Sequence, residues 1–167
     1  MKISWADQLS VGNALIDSDH KNLIGVVNRM DDAIKNGSRV DLLVAFELLE
    51  SSMQIHTENE ERIAEAIGYR FIQDKLAQEQ SMDEIRYMIH KLVTRFKGWP
   101  TNLQQMYSSY LAQWINEHIT KINMPMKRAL QAFPYESIPG MAEGVSLFKT
   151  SMVLPIGSYV EPSPPIW

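Results

Sequence analysis

An all-α, up-down-up-down four-helix bundle is the fold this sequence predicts, and three observations predict it. Four segments carry a helical period, the connections between them are short and marked by glycine or proline, and most of the chain lacks strand-like alternation. The bundle is expected over residues 1–133, including an N-terminal arm at 1–17; a proline-containing apolar extension follows at 134–167.

In the arm, Trp5, Leu9 and Ile16 are available to cap a bundle end. Helix one is expected from Ser18, a good N-cap type, to Asn36, with Gly37 as terminator; His20, Leu23, Ile24, Val27, Met30 and Ile34 form one stripe. Helix two is expected from Val40 to Ile67 before Gly68, with Leu42, Phe46, Leu49, Met53, His56, Glu60, Ile63 and Ile67 inward. Helix three, from Arg70 to Lys97, turns Phe71, Asp74, Gln78, Met82, Ile85, Ile89, Leu92 and Phe96 inward and stops at Gly98-Trp99-Pro100. Thr101 with Gln104 suggests a capping box for helix four, whose stripe is Leu103, Tyr107, Leu111, Trp114, His118 and Ile122; Pro125 should distort its last turn.

Bulk properties exclude several classes. A chain of 167 residues that is 45% hydrophobic and 22% charged suits one domain with a sizeable core. Lys and Arg are scattered and the net charge is −4, so nothing marks a nucleic-acid surface. With no cysteine, disulfides, thiolate metal sites and thiol catalysis are ruled out. No run approaches the roughly 20 apolar residues of a membrane span, so neither membrane insertion nor nucleic acid is expected, and a cytoplasmic location is the default. His90 falls off the inward stripe, Glu58, Glu61, Arg62 and Glu65 form a solvated face, and Met30, Met53, Met82 and Met106 read as core filler.

Polar residues interrupt the inward stripes at particular levels. In an up-down-up-down bundle the start of helix one, the end of helix two, the start of helix three and the end of helix four share one end. His20, His56 with Glu60, Asp74 with Gln78, and His118 with Asn123 fall at those places. Burying such groups in an apolar row is costly unless something neutralises them. Spacing of four sets His56 and Glu60 on one helix face, where with His20 they could hold one divalent ion. A protonated histidine paired with Glu60 would satisfy the same groups without an ion.

Several words in the chain resemble signatures of the bacterial hemerythrins. They are Trp5, Leu9-Ser10-Val11-Gly12-Asn13, Ile16-Asp17-x-Asp19-His20-Lys21, His56-Thr57-x-x-Glu60-Glu61, Gly68-Tyr69 and Trp114-x-x-x-His118-Ile119. The resemblance covers residues 1 to about 130 and implies an oxygen-binding pair of irons. It places His20 and His56 on one iron, Glu60 as a bridge, and His118 on the other. This chain departs from the family pattern at three ligand positions: Asp74 and Gln78 stand for histidines, and Asn123 for a bridging aspartate. Oxygen carriage in the family draws one electron from each of two irons, so a complete two-iron centre and carriage by that route are not expected. A rearranged site using Asp74, His118 and Gln78 is a chemical alternative.

The resulting expectation is a non-enzymatic accessory or interaction subunit with a degenerate centre, carrying no cofactor or a single iron or other divalent metal at His20, His56 and Glu60, with His118 a further candidate metal ligand. The alternative is an iron-dependent binder or sensor of oxygen or another small diatomic ligand. Residues 134–167 hold Pro155, Pro162, Pro164 and Pro165 among apolar residues such as Phe148, Leu154 and Trp167. So apolar a segment should bury itself, on its own bundle or on a protein partner.

Overall fold

The computed structural model describes residues 2–131, apart from the side chains of Ile122 and Asn123. The expected partner-binding extension at 134–167 therefore lies outside the described residues. Four long helices form the bundle: α1 (Ala14–Lys35), α2 (Arg39–Ala66), α3 (Ile72–Arg95) and α4 (Thr101–Glu117). A π turn at His118–Asn123 carries α4 into a short α5 (Met124–Gln131). α1 packs along α2 and α4, while α3 packs on α2 and on the π turn.

The helix starts differ from expectation in two places. α1 begins four residues before Ser18, because Asn13 is its cap and accepts from the backbone N–H of Leu15 and Ile16 at 3.0 and 3.2 Å. Ile16 is fully buried one turn before His20, and keeping both on the inward face requires helix back to that point. Asp17 ties the arm to this start, accepting from the Val11 N–H at 2.9 Å and the Ser10 hydroxyl at 2.5 Å. The proposed capping box at Thr101 does not form: Pro100 is the N-cap without a side-chain bond. Gln104 instead donates to the carbonyl of Lys35 at 3.1 Å, satisfying an end group of α1 across the bundle.

Both glycine terminators act as expected. Gly37 and Gly68 have φ of +66° and +67°, the left-handed conformation that closes a helix end. The Ser38 N–H reaches back to the Ala33 carbonyl at 2.9 Å, and the Tyr69 N–H to that of Ala64 at 2.8 Å. Pro125 offers no N–H to the ladder, and the chain crosses this stretch by widening into the π turn just before it.

Apolar residues separate into two clusters with the polar positions between them. The main core runs from Leu23 through Met53, Met82 and Trp114 to Ile119. A second cluster, Val11, Ile16, Ile63, Ala64, Ile67, Phe71, Met126 and Leu130, closes one end. Of the arm residues, Trp5 and Leu9 pack half-buried against the main core, and Ile16 belongs to the end cluster. Met106 is 51% exposed and so is not core filler, whereas Met30, Met53 and Met82 are buried. His90 and the face of Glu58, Glu61, Arg62 and Glu65 are exposed as expected. No helix among the described residues is long and apolar enough to cross a membrane.

Candidate metal centre

Each helix contributes to the layer between the clusters at the level its stripe predicts. His20 lies one turn into α1 after Ile16, His56 and Glu60 lie between Met53 and Ile63 on α2, and Gln78 precedes Met82 on α3. His118 opens the π turn. His20 and His56 have no exposed surface, Glu60 and His118 have 1%, and Gln78 has 2%.

The three imidazoles converge: each offers a ligand nitrogen, and these lie within 4.8 Å of one another. Nε2 of His56 is 3.1 Å from Nε2 of His118 and 3.3 Å from Oε2 of Glu60. Two ligand atoms side by side on one ion, with bonds of roughly 2.0–2.2 Å, stand roughly 3–3.5 Å apart. Those separations fit donors facing one cation. Among the described residues, neither ring nitrogen of His20 has a hydrogen-bond partner, and neither has Nδ1 of His118. An unmet buried polar group costs about 1–3 kcal/mol, which an ion would relieve. A lone orphan such as the Tyr107 hydroxyl carries no such implication; convergence is what distinguishes the histidines.

Electrostatics disfavour the charged form of His20 and His118, and ligation requires a neutral ring. Burial, followed by the neighbouring His56, holds His20 down to about 3. Burial lowers His118 well below the ordinary histidine value, with His56 and His20 adding to it. On the far side of the His56 ring, Asp19 Oδ2 is 3.7 Å from Nδ1 and is itself held by the Asn59 amide at 2.9 Å. A carboxylate there favours the proton on Nδ1 and the lone pair on Nε2, toward the cluster. The Trp114 ring stacks on His118 with centroids 5.7 Å apart and an 18° angle, and its indole N–H donates to Ser81. Trp5 covers His20 from the arm at 6.4 Å.

The α3 positions are arranged otherwise. Gln78 donates its amide N–H to Glu60 Oε2, while its carbonyl accepts from the Thr57 hydroxyl at 2.5 Å. Asp74 is half-buried beside Tyr69; burial first, and then the interaction with the Asp74 carboxylate, push Tyr69 up to about 12. Asp74 is not part of the converging ligand group among the described residues. Asn123 ends the π turn, and its side chain lies outside the described residues. Sequence reasoning passed over Thr57, Asp19 and Asn59 as partners of the site. Each flanks His56, His20 or Glu60 by a single position, and Asp19 and Thr57 also fall within the words that carry the family resemblance.

A buried, three-histidine ligand cluster within a helical bundle defines a metal-binding domain of the carboxylate-and-histidine bundle class. The chain belongs to the hemerythrin family: the Hemerythrin HHE cation binding domain matches residues 11–130. A bacteriohemerythrin of Methylococcus capsulatus is 21% identical over 122 residues, which cover 72% of this chain and 91% of that protein. No solved structure gives a significant match.

Proposed function

We propose that this protein is a non-enzymatic hemerythrin-family subunit with a single divalent cation in place of an iron pair. His20, His56, His118 and Glu60 would hold the ion. The observation that carries the reading is the approach of His56 Nε2 to both His118 Nε2 and Glu60 Oε2, at 3.1 and 3.3 Å, beside a His20 whose nitrogens have no hydrogen-bond partner among the described residues. Such an ion would supply coordination positions for water or a small ligand. The chain supplies neutral imidazoles, one carboxylate, and apolar walls above and below that keep bulk water away. Against a second ion, Asp74 is engaged by Tyr69, and Gln78 by Thr57 and Glu60.

The test is anaerobic reconstitution of the metal-free protein with Fe(II), elemental analysis, and then admission of oxygen. One iron per chain supports the proposal, and two irons per chain with a bridged-iron absorption band overturn it. A second reading, an iron-dependent binder or sensor of oxygen or another small diatomic ligand, is favoured by the name of the bacteriohemerythrin relative. A reversible spectral change with one iron per chain would establish it.

An interaction role for residues 134–167 is proposed on composition alone. Removing residues 140–167 should abolish partner assembly and leave helical content unchanged; unfolding on truncation would assign the segment to the core instead.

A further inference from the structure

We infer that Gln78 is a positioning residue: its amide, oriented by Thr57, stands in for a second cation beside Glu60 and makes this a one-ion centre. The inference rests on the single-cation reading above. Two hydrogen bonds fix the amide. The Thr57 hydroxyl donates to Gln78 Oε1 at 2.5 Å, so the NH₂ end is the one turned to Glu60 Oε2. A reversed amide would set its carbonyl against the Glu60 carboxylate, two acceptors face to face. The same Oε2 lies 3.3 Å from His56 Nε2, so the chain Thr57–Gln78–Glu60 ends on the ligand cluster.

Charge explains why one ion suffices. As ligands, the three imidazoles bring no charge and the one carboxylate brings a single negative charge. That carboxylate offsets half the charge of one divalent ion but only a quarter of the charge of two. The N–H dipole of a neutral amide can hold a carboxylate oxygen in place without adding to that charge, and it presents no lone pair toward the cluster. Position adds to chemistry. A groove of about 360 Å³ between α2 and α3 reaches Thr57 and Gln78 between the ion pairs Lys75–Glu61 and Arg86–Glu50. Gln78 thus separates the groove from Glu60.

The experiment is titration of full-length, metal-free protein with Co(II), read by calorimetry and by the visible d–d band, which reports coordination. Helical content and melting temperature of each variant are checked first by circular dichroism. Wild type should bind one cobalt. Gln78→Leu and Thr57→Val should each weaken binding about 10–100-fold and change the d–d band, because Glu60 loses its orientation. Gln78→Glu, which replaces the amide with an anion of the same shape, should admit a second cobalt. If wild type binds no cobalt, the single-cation reading fails irrespective of the variants. If wild type binds one cobalt while Gln78→Leu and Thr57→Val match its affinity and spectrum, the centre stands and the role of Gln78 is overturned. Should Gln78→Leu fail to fold, Thr57→Val alone decides, since Thr57 is only half-buried.

Discussion

On one side of the polar layer, both ring nitrogens of His20 and Nδ1 of His118 are buried without a hydrogen-bond partner among the described residues. On the other, Gln78 and Asp74 have polar atoms taken up by Glu60, Thr57 and Tyr69. Both sides descend from inward positions of amphipathic helices, and desolvation acts on both. The difference lies in closure: the Gln78 amide finds both its partners on the neighbouring helix, whereas rigid imidazoles that converge on each other cannot all be satisfied by one another. Neutral histidines hold one donor and one acceptor each, and three facing the same point leave lone pairs over. An open set of this kind has a use for a cation; a closed set has none.

Breaking the open side should have the largest effect. His56 Nε2 is central to the cluster, so His56→Ala should abolish uptake of Co(II) or Fe(II), as read by elemental analysis after desalting. Retained stoichiometric metal would place the ion elsewhere. Next in size is stabilisation by the metal itself. With free ion at a thousandfold excess over Kd, binding adds about 4 kcal/mol, which raises the melting temperature by roughly 8–16 °C for a chain of this size. Thermal scans with and without chelator check this, and a shift below a few degrees would show that folded and unfolded chains bind alike.

Proton linkage separates the two sides further, in the metal-free protein. His20 in the folded state is held down to about 3, against 6.5 when unfolded, and His118 is lowered too. Between those values the unfolded chain binds protons that the folded chain refuses, so stability rises with pH and falls on acidification below about 6.5. The loss from His20 alone is on the order of a few kcal/mol across the window. Melting temperatures between pH 7.5 and pH 4.5 should fall steeply for wild type and less steeply for His20→Leu. Equal slopes would mean that His20 takes up its proton while still folded.

How much of this was legible in the sequence follows from what each feature depends on. The inward stripes depend on periodicity alone, and the residues placed inward on α1 and α2 are buried without exception. Gly37 and Gly68 were readable because only a left-handed end suits them. Asn13 was passed over for Ser18 since cap choice turns on how far back burial of Ile16 pulls the helix, a tertiary quantity. Gln104 misled for the same reason: its side chain had a better use across the bundle. In the site, inward polar types could be seen from spacing, but the bond from Thr57 to Gln78 joins two helices and depends on their relative rotation. Pro125 announced a distortion without saying that it would be a π turn beginning at His118.

The smallest expected effect is the sharpest probe of the comparison. Asp74 and Glu60 are both carboxylates near the layer, and charge counting alone would make them equivalent ligands. The structure separates them by partner, since Glu60 faces His56 while Asp74 faces the Tyr69 hydroxyl. An amide oxygen accepts that hydroxyl as well as a carboxylate does. Asp74→Asn should therefore leave metal affinity within about twofold and stability within about 1 kcal/mol, measured by calorimetry and denaturant melts. A collapse of metal binding comparable to that of His56→Ala would move Asp74 to the open side of the layer and revive a rearranged site through α3.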